Sequence, residues 1–224
     1  MTRIKKIAFF AIIAVIGLST ARATDFGLGI SGNKSFKLNS KIAMPELKFE
    51  STAPLEDITG VVKDAGKISS SVALNPANIE AAKGKISFKV DGIKTGIDTR
   101  DEHLYGADWL DASKFPEIIF ELNSFKNVKI SSTEAAKGKS TADAVAVGTY
   151  SMHGKSKTLS VPVKLSYIKA SAETARRASG DLFFVEGTFE IALKDFDVKG
   201  SKGVVGSKVG EKIQIKFKLY YNSN

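Results

Sequence analysis

Over residues 212–221 the chain alternates without a slip. Ile213, Ile215, Phe217, Leu219 and Tyr221 fall on one parity, and Lys212, Gln214, Lys216, Lys218 and Tyr220 on the other. A helix would scatter those apolar side chains around its whole circumference, whereas a strand gathers them on one face. The same period of two returns in Leu47, Phe49 and Ser51; in Ile58, Gly60 and Val62; and in Ile86, Phe88 and Val90. Further along it returns in Ile118, Phe120 and Leu122, in Leu159, Val161, Val163 and Leu165, and in Phe183, Val185, Phe189 and Ile191. Turn signals such as Asn75-Pro76, Asp91-Gly92 and His153-Gly154 separate these runs. About eight to ten strands with one helix predict an all-β antiparallel barrel or sandwich, not β-α-β units. Alternation alone does not choose between barrel and sandwich, nor between a packed interior and a hollow one.

Several segments carry weaker signals. Residues 24–37, rich in Gly, Ser, Asn and Lys, read as a lead-in with a first edge strand near 35–38. Residues 78–83 fit a short helical turn. Residues 131–143, dominated by Ser, Thr, Ala and Lys, read as a long solvated loop, and residues 171–181 as another. Pro162 interrupts a strand on its outward parity, where it cannot donate to a ladder, so that strand is expected to be an edge locally or to bulge.

The N-terminus has the layout of an export signal. Arg3, Lys5 and Lys6 precede an apolar run over residues 7–18, and Ala21-Arg22-Ala23 fits a small-x-small cleavage site. The run falls short of the roughly 18 apolar residues that a membrane span requires. Residues 1–23 are therefore expected to be removed, leaving a periplasmic or secreted domain over 38–224 behind the lead-in. Removing Arg3, Lys5, Lys6 and Arg22 lowers the formal net charge of +9 by four. Lysines 48, 85, 89, 164, 212, 216 and 218 fall on outward strand positions, where they confer solubility and oppose edge pairing. No aromatic-interleaved basic motif points to nucleic acid. The absence of cysteine excludes disulfides and thiol chemistry.

Residues 95–120, TGIDTRDEHLYGADWLDASKFPEIIF, are the most informative stretch. Thr99 followed by Glu102 matches a capping box, with acids in the first turn where the helix dipole favours them. A helix of two to three turns is expected from Arg100 to about Leu110, with Leu104, Trp109 and Leu110 turned inward. Pro116 ends it and starts the next strand. Arg100, Asp101, His103, Leu104, Asp108 and Trp109, followed by Phe115, Pro116, Ile118 and Phe120, closely resemble the signature of the YceI-like family. Gly148 to Gly154 and Lys194 to Val198 are similar to later family segments, but no Arg precedes Asp195 and Asp197 stands where Gly is usual. The resemblance implies a lipocalin-like barrel of about eight strands with a short helix near one opening. It also implies a periplasmic protein that binds a polyisoprenoid lipid and uses no cofactor.

On that reading Phe49, Phe88, Phe120, Leu122, Val163, Phe189, Ile191 and Phe217 line the interior and Trp109 covers one end. Arg100 and His103 are candidates to meet a polar head group, the Arg through its fixed fork of donors. Peripheral contact with an anionic membrane and pairing into a homodimer are further expectations. No metal or catalytic group is expected. His103 and His153 lie far apart in sequence without ligand spacing, and no Gly-x-Ser-x-Gly elbow is present. Two rivals stay open: a filled barrel acting through its loops as an export-compartment stress or interaction protein, and a hydrolytic or metal-dependent enzyme using both histidines.

Overall fold

The structure, a computed structural model, describes residues 23–223, so all but the last residue of the expected export signal lies outside the described residues. Eleven strands and one helix follow in order. They are β1 (Lys34–Leu38), β2 (Glu46–Thr52), β3 (Asp57–Val62), β4 (Ile68–Asn75), β5 (Asn78–Lys89), β6 (Ile93–Lys94) and α1 (Asp98–Tyr105). After the helix come β7 (Glu117–Glu134), β8 (Lys139–Met152), β9 (Lys155–Ile168), β10 (Leu182–Ala192) and β11 (Lys212–Ser223). Hydrogen bonding runs β1-β4-β5-β7-β8-β9-β10-β11 and returns from β11 to β1, so eight antiparallel strands close into a barrel.

β11, the most regularly alternating segment, joins the barrel to its extension. One side pairs with β10 from Leu182↔Asn222 to Ala192↔Lys212. The other side is shared, with β2 taking Ile213–Lys218 and β1 taking Tyr221–Ser223. β2 continues through β3 to the short β6, which leads into α1. The helix is thereby held over the barrel end where β2 and β3 stand in for β1.

Four local expectations need correction. Residues 131–143 are not a loop: β7 and β8 run on as a hairpin joined by a single 3-10 turn at Ala135–Lys137, with Gly138 left-handed. Of the Ala and Ser in that stretch only Ser140 and Ala142 turn inward, and Ala144 and Ala146 continue the buried row; Ser131, Ser132, Ala135 and Ala136 are exposed near the tip of the hairpin. Residues 78–83 are extended in β5, not helical. The helix spans Asp98–Tyr105 and stops before Leu110. Its cap position is Ile97, which offers no side-chain bond, so the Thr99 capping box is not made. Instead Asp101 accepts from the N–H and hydroxyl of Thr95, tying the first turn to the strand before it. Burial raises the Asp101 carboxyl, but the Thr95 bonds and nearby Lys94 outweigh it and hold the group below the usual carboxylate range.

Pro162 behaves as its position suggested. β9 pairs with β10 only from Val163 to Ile168, so Pro162 sits where that ladder ends. His153 and Gly154 form the β8–β9 turn, both with positive φ (51° and 71°), which matches the twist of a two-residue hairpin. The stretch read as a lead-in supplies β1, and Phe26 within it is fully buried.

The interior divides in two along the barrel axis. At the end away from α1, Phe26, Tyr167, Phe36, Phe183 and Tyr221 form a chain of ring contacts with centroids 5.2–6.1 Å apart, leaving a solid floor. Such pairs contribute about 0.5–1.5 kcal/mol each beyond area burial. Asp181 locks this floor from below. It accepts from the Tyr167 hydroxyl and from the Ala170 N–H at 2.7 Å, and pairs with Lys34 at 2.7 Å. At the helix end, a second cluster including Leu47, Val62, Ile68, Leu110, Tyr150, Ile191 and Ile213 surrounds open space.

Candidate functional site

Above the floor the barrel holds two chambers. The upper one, about 340 Å³, lies under α1 and is walled by β2, β3, the upper parts of β10 and β11, and the loop over residues 199–210. The lower one, about 100 Å³, reaches down to Tyr221. Leu47, Phe88, Tyr150 and Ile215 border both and form the neck between them. The surroundings are almost wholly apolar. Where polar groups occur they are mostly paired: Ser70 Oγ lies 2.8 Å from the Tyr221 hydroxyl, and Ser51 Oγ accepts from Gly210 N at 2.9 Å.

Why the space stays open can be traced to cross-strand glycines. Phe49 pairs with Gly60, and a Cβ at Gly60 would lie 2.0 Å from the Phe49 ring. Phe217 stands opposite Gly187 and Phe120 beside Gly148, with corresponding distances of 2.8 and 2.6 Å. In each case the ring lies flat on the wall in the space a side chain would have filled. These inward rings are only half-buried, because one face looks onto empty space rather than onto packed atoms.

The residues expected to line the interior all border a chamber. Phe49, Trp109 and Ile191 face the upper one; Phe120, Leu122, Val163, Phe189 and Phe217 face the lower one; Phe88 faces both. Sequence reasoning missed Tyr150, Met152, Ile213 and Ile215, all on inward parity, and Val204 and Lys208 from the glycine-rich loop. Parity could have found Ile213 and Ile215; in β8 the run Val145, Val147 and Thr149 suggests the other face, whereas the structure buries Ala144, Ala146, Tyr150 and Met152, and nothing local marked the loop as a wall. Trp109 is held there by Gly200, whose left-handed backbone (φ 61°) lets the indole approach closely.

Arg100 and His103 both border the upper chamber at its mouth. The guanidinium of Arg100 is already engaged. Its Nη1 donates to Glu56 at 2.7 Å, Nε to the Thr95 hydroxyl at 3.0 Å and Nη2 to the Thr95 carbonyl at 3.2 Å. This fork fastens α1 to the β2–β3 turn. Lys208, also at the mouth, forms no ion pair among the described residues. His153 is held apart in its turn, Nδ1 3.0 Å from the Phe196 carbonyl and edge-on to Phe115. Among the described residues no group of three or more His, Cys, Asp or Glu gathers as a metal site would require.

A closed antiparallel barrel with an apolar chamber beneath a short helix defines a lipocalin-like class. Within it the chain belongs to the YceI-like family, whose domain model matches residues 39–221. Similar relatives include a UPF0312 protein of Ectopseudomonas mendocina, 28% identical over 88% of this chain and 87% of the relative. Another from Pseudomonas fluorescens is 29% identical over 82% and 81%. Among solved structures, BcnA of Burkholderia cenocepacia superposes with TM-score 0.61 at 21% identity, covering 82% of this chain and 98% of that one. A polyisoprenoid-binding domain from Saccharophagus degradans gives TM-score 0.56 at 14% identity, over 85% and 99%. At these identities the structural likenesses establish the fold.

Proposed function

We propose that this protein is an exported, non-catalytic carrier or sequestering protein for an isoprenoid-type lipid, either a polyprenyl phosphate or a prenylated quinone. The observation that carries this reading is the pair of adjoining apolar chambers, which share four wall residues, above a closed floor. Each buried CH₂ contributes about 0.8 kcal/mol, so a five-carbon prenyl unit supplies about 3–4 kcal/mol without any polar contact. A binding site of this kind needs few specific side chains, which fits the sparse polar lining. A structural neighbour that is a polyisoprenoid-binding domain lends support. Export is proposed from the basic, apolar and small-x-small pattern over residues 1–23. Peripheral membrane contact belongs to the same reading: Leu55 and Ile97, two exposed apolar side chains, adjoin the Glu56–Arg100 bridge at the mouth.

The test is to purify the protein from its host without detergent, extract it with organic solvent and examine the extract by mass spectrometry. A stoichiometric isoprenoid supports the reading. An extract without one, together with no uptake of added polyprenyl phosphate or prenyl quinone, rejects it.

A further inference from the structure

Tyr150 stands at the neck between the chambers, and its hydroxyl has no good partner. The side chain is 3% exposed, and the hydroxyl reaches only the Met152 sulfur, at 3.9 Å. The other tyrosine bordering the chambers, Tyr221, is paired with Ser70 at 2.8 Å. A buried O–H without a proper acceptor costs about 1–3 kcal/mol, so an unused donor here calls for an acceptor. Burial also pushes the Tyr150 hydroxyl well above its ordinary pKa, so it keeps its proton throughout the physiological range.

The acceptor can be specified by chemistry. None of the four neck residues is charged, and the lysines that reach the linings beside them, Lys48 and Lys85, are paired with Glu50 at 2.7 Å and Glu121 at 3.6 Å, so a phosphate at the neck would be desolvated without a free cation to compensate it. A neutral oxygen meets no such penalty. In a prenylated quinone one carbonyl lies on the ring carbon next to the tail. With the ring in the upper chamber and the tail threaded downward, that oxygen falls at the neck. A polyprenyl phosphate instead has to keep its head near the mouth, leaving only hydrocarbon beside Tyr150.

We propose that the Tyr150 hydroxyl is a specificity-determining donor to a neutral carbonyl or hydroxyl oxygen of the ligand, so that the site prefers a prenylated quinone-type head over a phosphate. This rests on the isoprenoid reading of the chambers.

Trp109 is the only tryptophan in the chain and borders the upper chamber, so quenching of its fluorescence reports a bound quinone directly. Wild-type protein and Tyr150→Phe would be titrated with a benzoquinone carrying two prenyl units, and farnesyl phosphate measured by competition. Tyr150→Phe is expected to weaken the quinone about three- to thirtyfold, as loss of one buried hydrogen bond does, and to leave farnesyl phosphate unchanged. The bound quinone's carbonyl stretch should lie lower in wild type than in Tyr150→Phe. If the quinone binds with the same affinity and carbonyl frequency in both, the inference is overturned while the isoprenoid reading stands. If neither probe binds wild-type protein, the isoprenoid reading fails and the inference with it.

Discussion

Gly60→Ala separates a hollow barrel from a filled one. The added Cβ would sit 2.0 Å from the Phe49 ring, where carbon contacts settle at about 3.5–4.0 Å, so the ring must retreat by about 1.5 Å or more. Overpacking a filled core costs about 1–3 kcal/mol because nothing can yield. Here the ring borders a chamber of about 340 Å³ and has room to swing inward. The stability loss should therefore stay below about 1 kcal/mol, and the effect should appear as weaker binding. Urea unfolding gives the first quantity, and titration of a prenyl quinone by Trp109 quenching gives the second. The double variant Gly60→Ala/Phe49→Leu removes the displaced ring and should recover most of the affinity. A loss of several kcal/mol with binding untouched would refute the argument, because it would mean that Phe49 is locked in a packed core.

Two further predictions concern the floor. Asp181→Ala strands the buried Tyr167 hydroxyl and the Ala170 N–H, while Lys34, one-third exposed, returns to water. Discounting the ion pair for that exposure leaves a cost of about 2–4 kcal/mol, or roughly 5–15 °C in Tm. Asp181→Asn keeps an acceptor and should cost less than half of that, as thermal unfolding would show. Burial raises the Asp181 carboxyl, but Lys34, Tyr167 and Ala170 outweigh it and hold the folded value below the usual range. Its contribution is therefore complete above the unfolded value of about 3.9 and fades as pH falls through the folded one. Urea midpoints at pH 7 and pH 3 should converge between wild type and Asp181→Asn at the lower pH; an unchanged gap would contradict the linkage. The closed floor also sets a length limit. The part of β11 from Ile213 to Tyr221 spans about 20 Å along the axis at ~3.3 Å per residue and a ~40° tilt. Affinity across quinones of increasing tail length should rise to about that length and then level off; a steady rise through the longest tails would show that the floor opens.

The β architecture was legible because each strand buries one face and solvates the other, as β11 does from Ile213 to Tyr221. The inward rings followed from the same parity. What parity could not convey was whether those rings interlock, because that depends on glycines across the sheet: Gly60 and Gly187 acquire meaning only once pairing places Phe49 and Phe217 over them. Residues 131–143 misled for a related reason. Small polar and Ala residues signal solvent, and most of these are indeed exposed, yet they belong to paired strands whose register turns Ser140 inward beside Tyr167 and Ala142 beside Leu165. The helix start was misjudged because no side chain caps it at Ile97, and Asp101 instead accepts from Thr95, ahead of the helix. Arg100 was placed at the mouth by the resemblance, but its tie to Glu56 spans 44 residues and had no local signal.

The most direct measurement is an isotope-filtered NMR experiment on ¹³C-labelled protein with an unlabelled prenyl quinone bound. Cross-peaks from the prenyl methyls to Leu122, Val163, Val185 and Leu219 are predicted, since these side chains surround the lower chamber. Cross-peaks confined to exposed side chains such as Leu55, Ile97 and Met44 would contradict the account, because the tail would then be lying on the outside of the barrel.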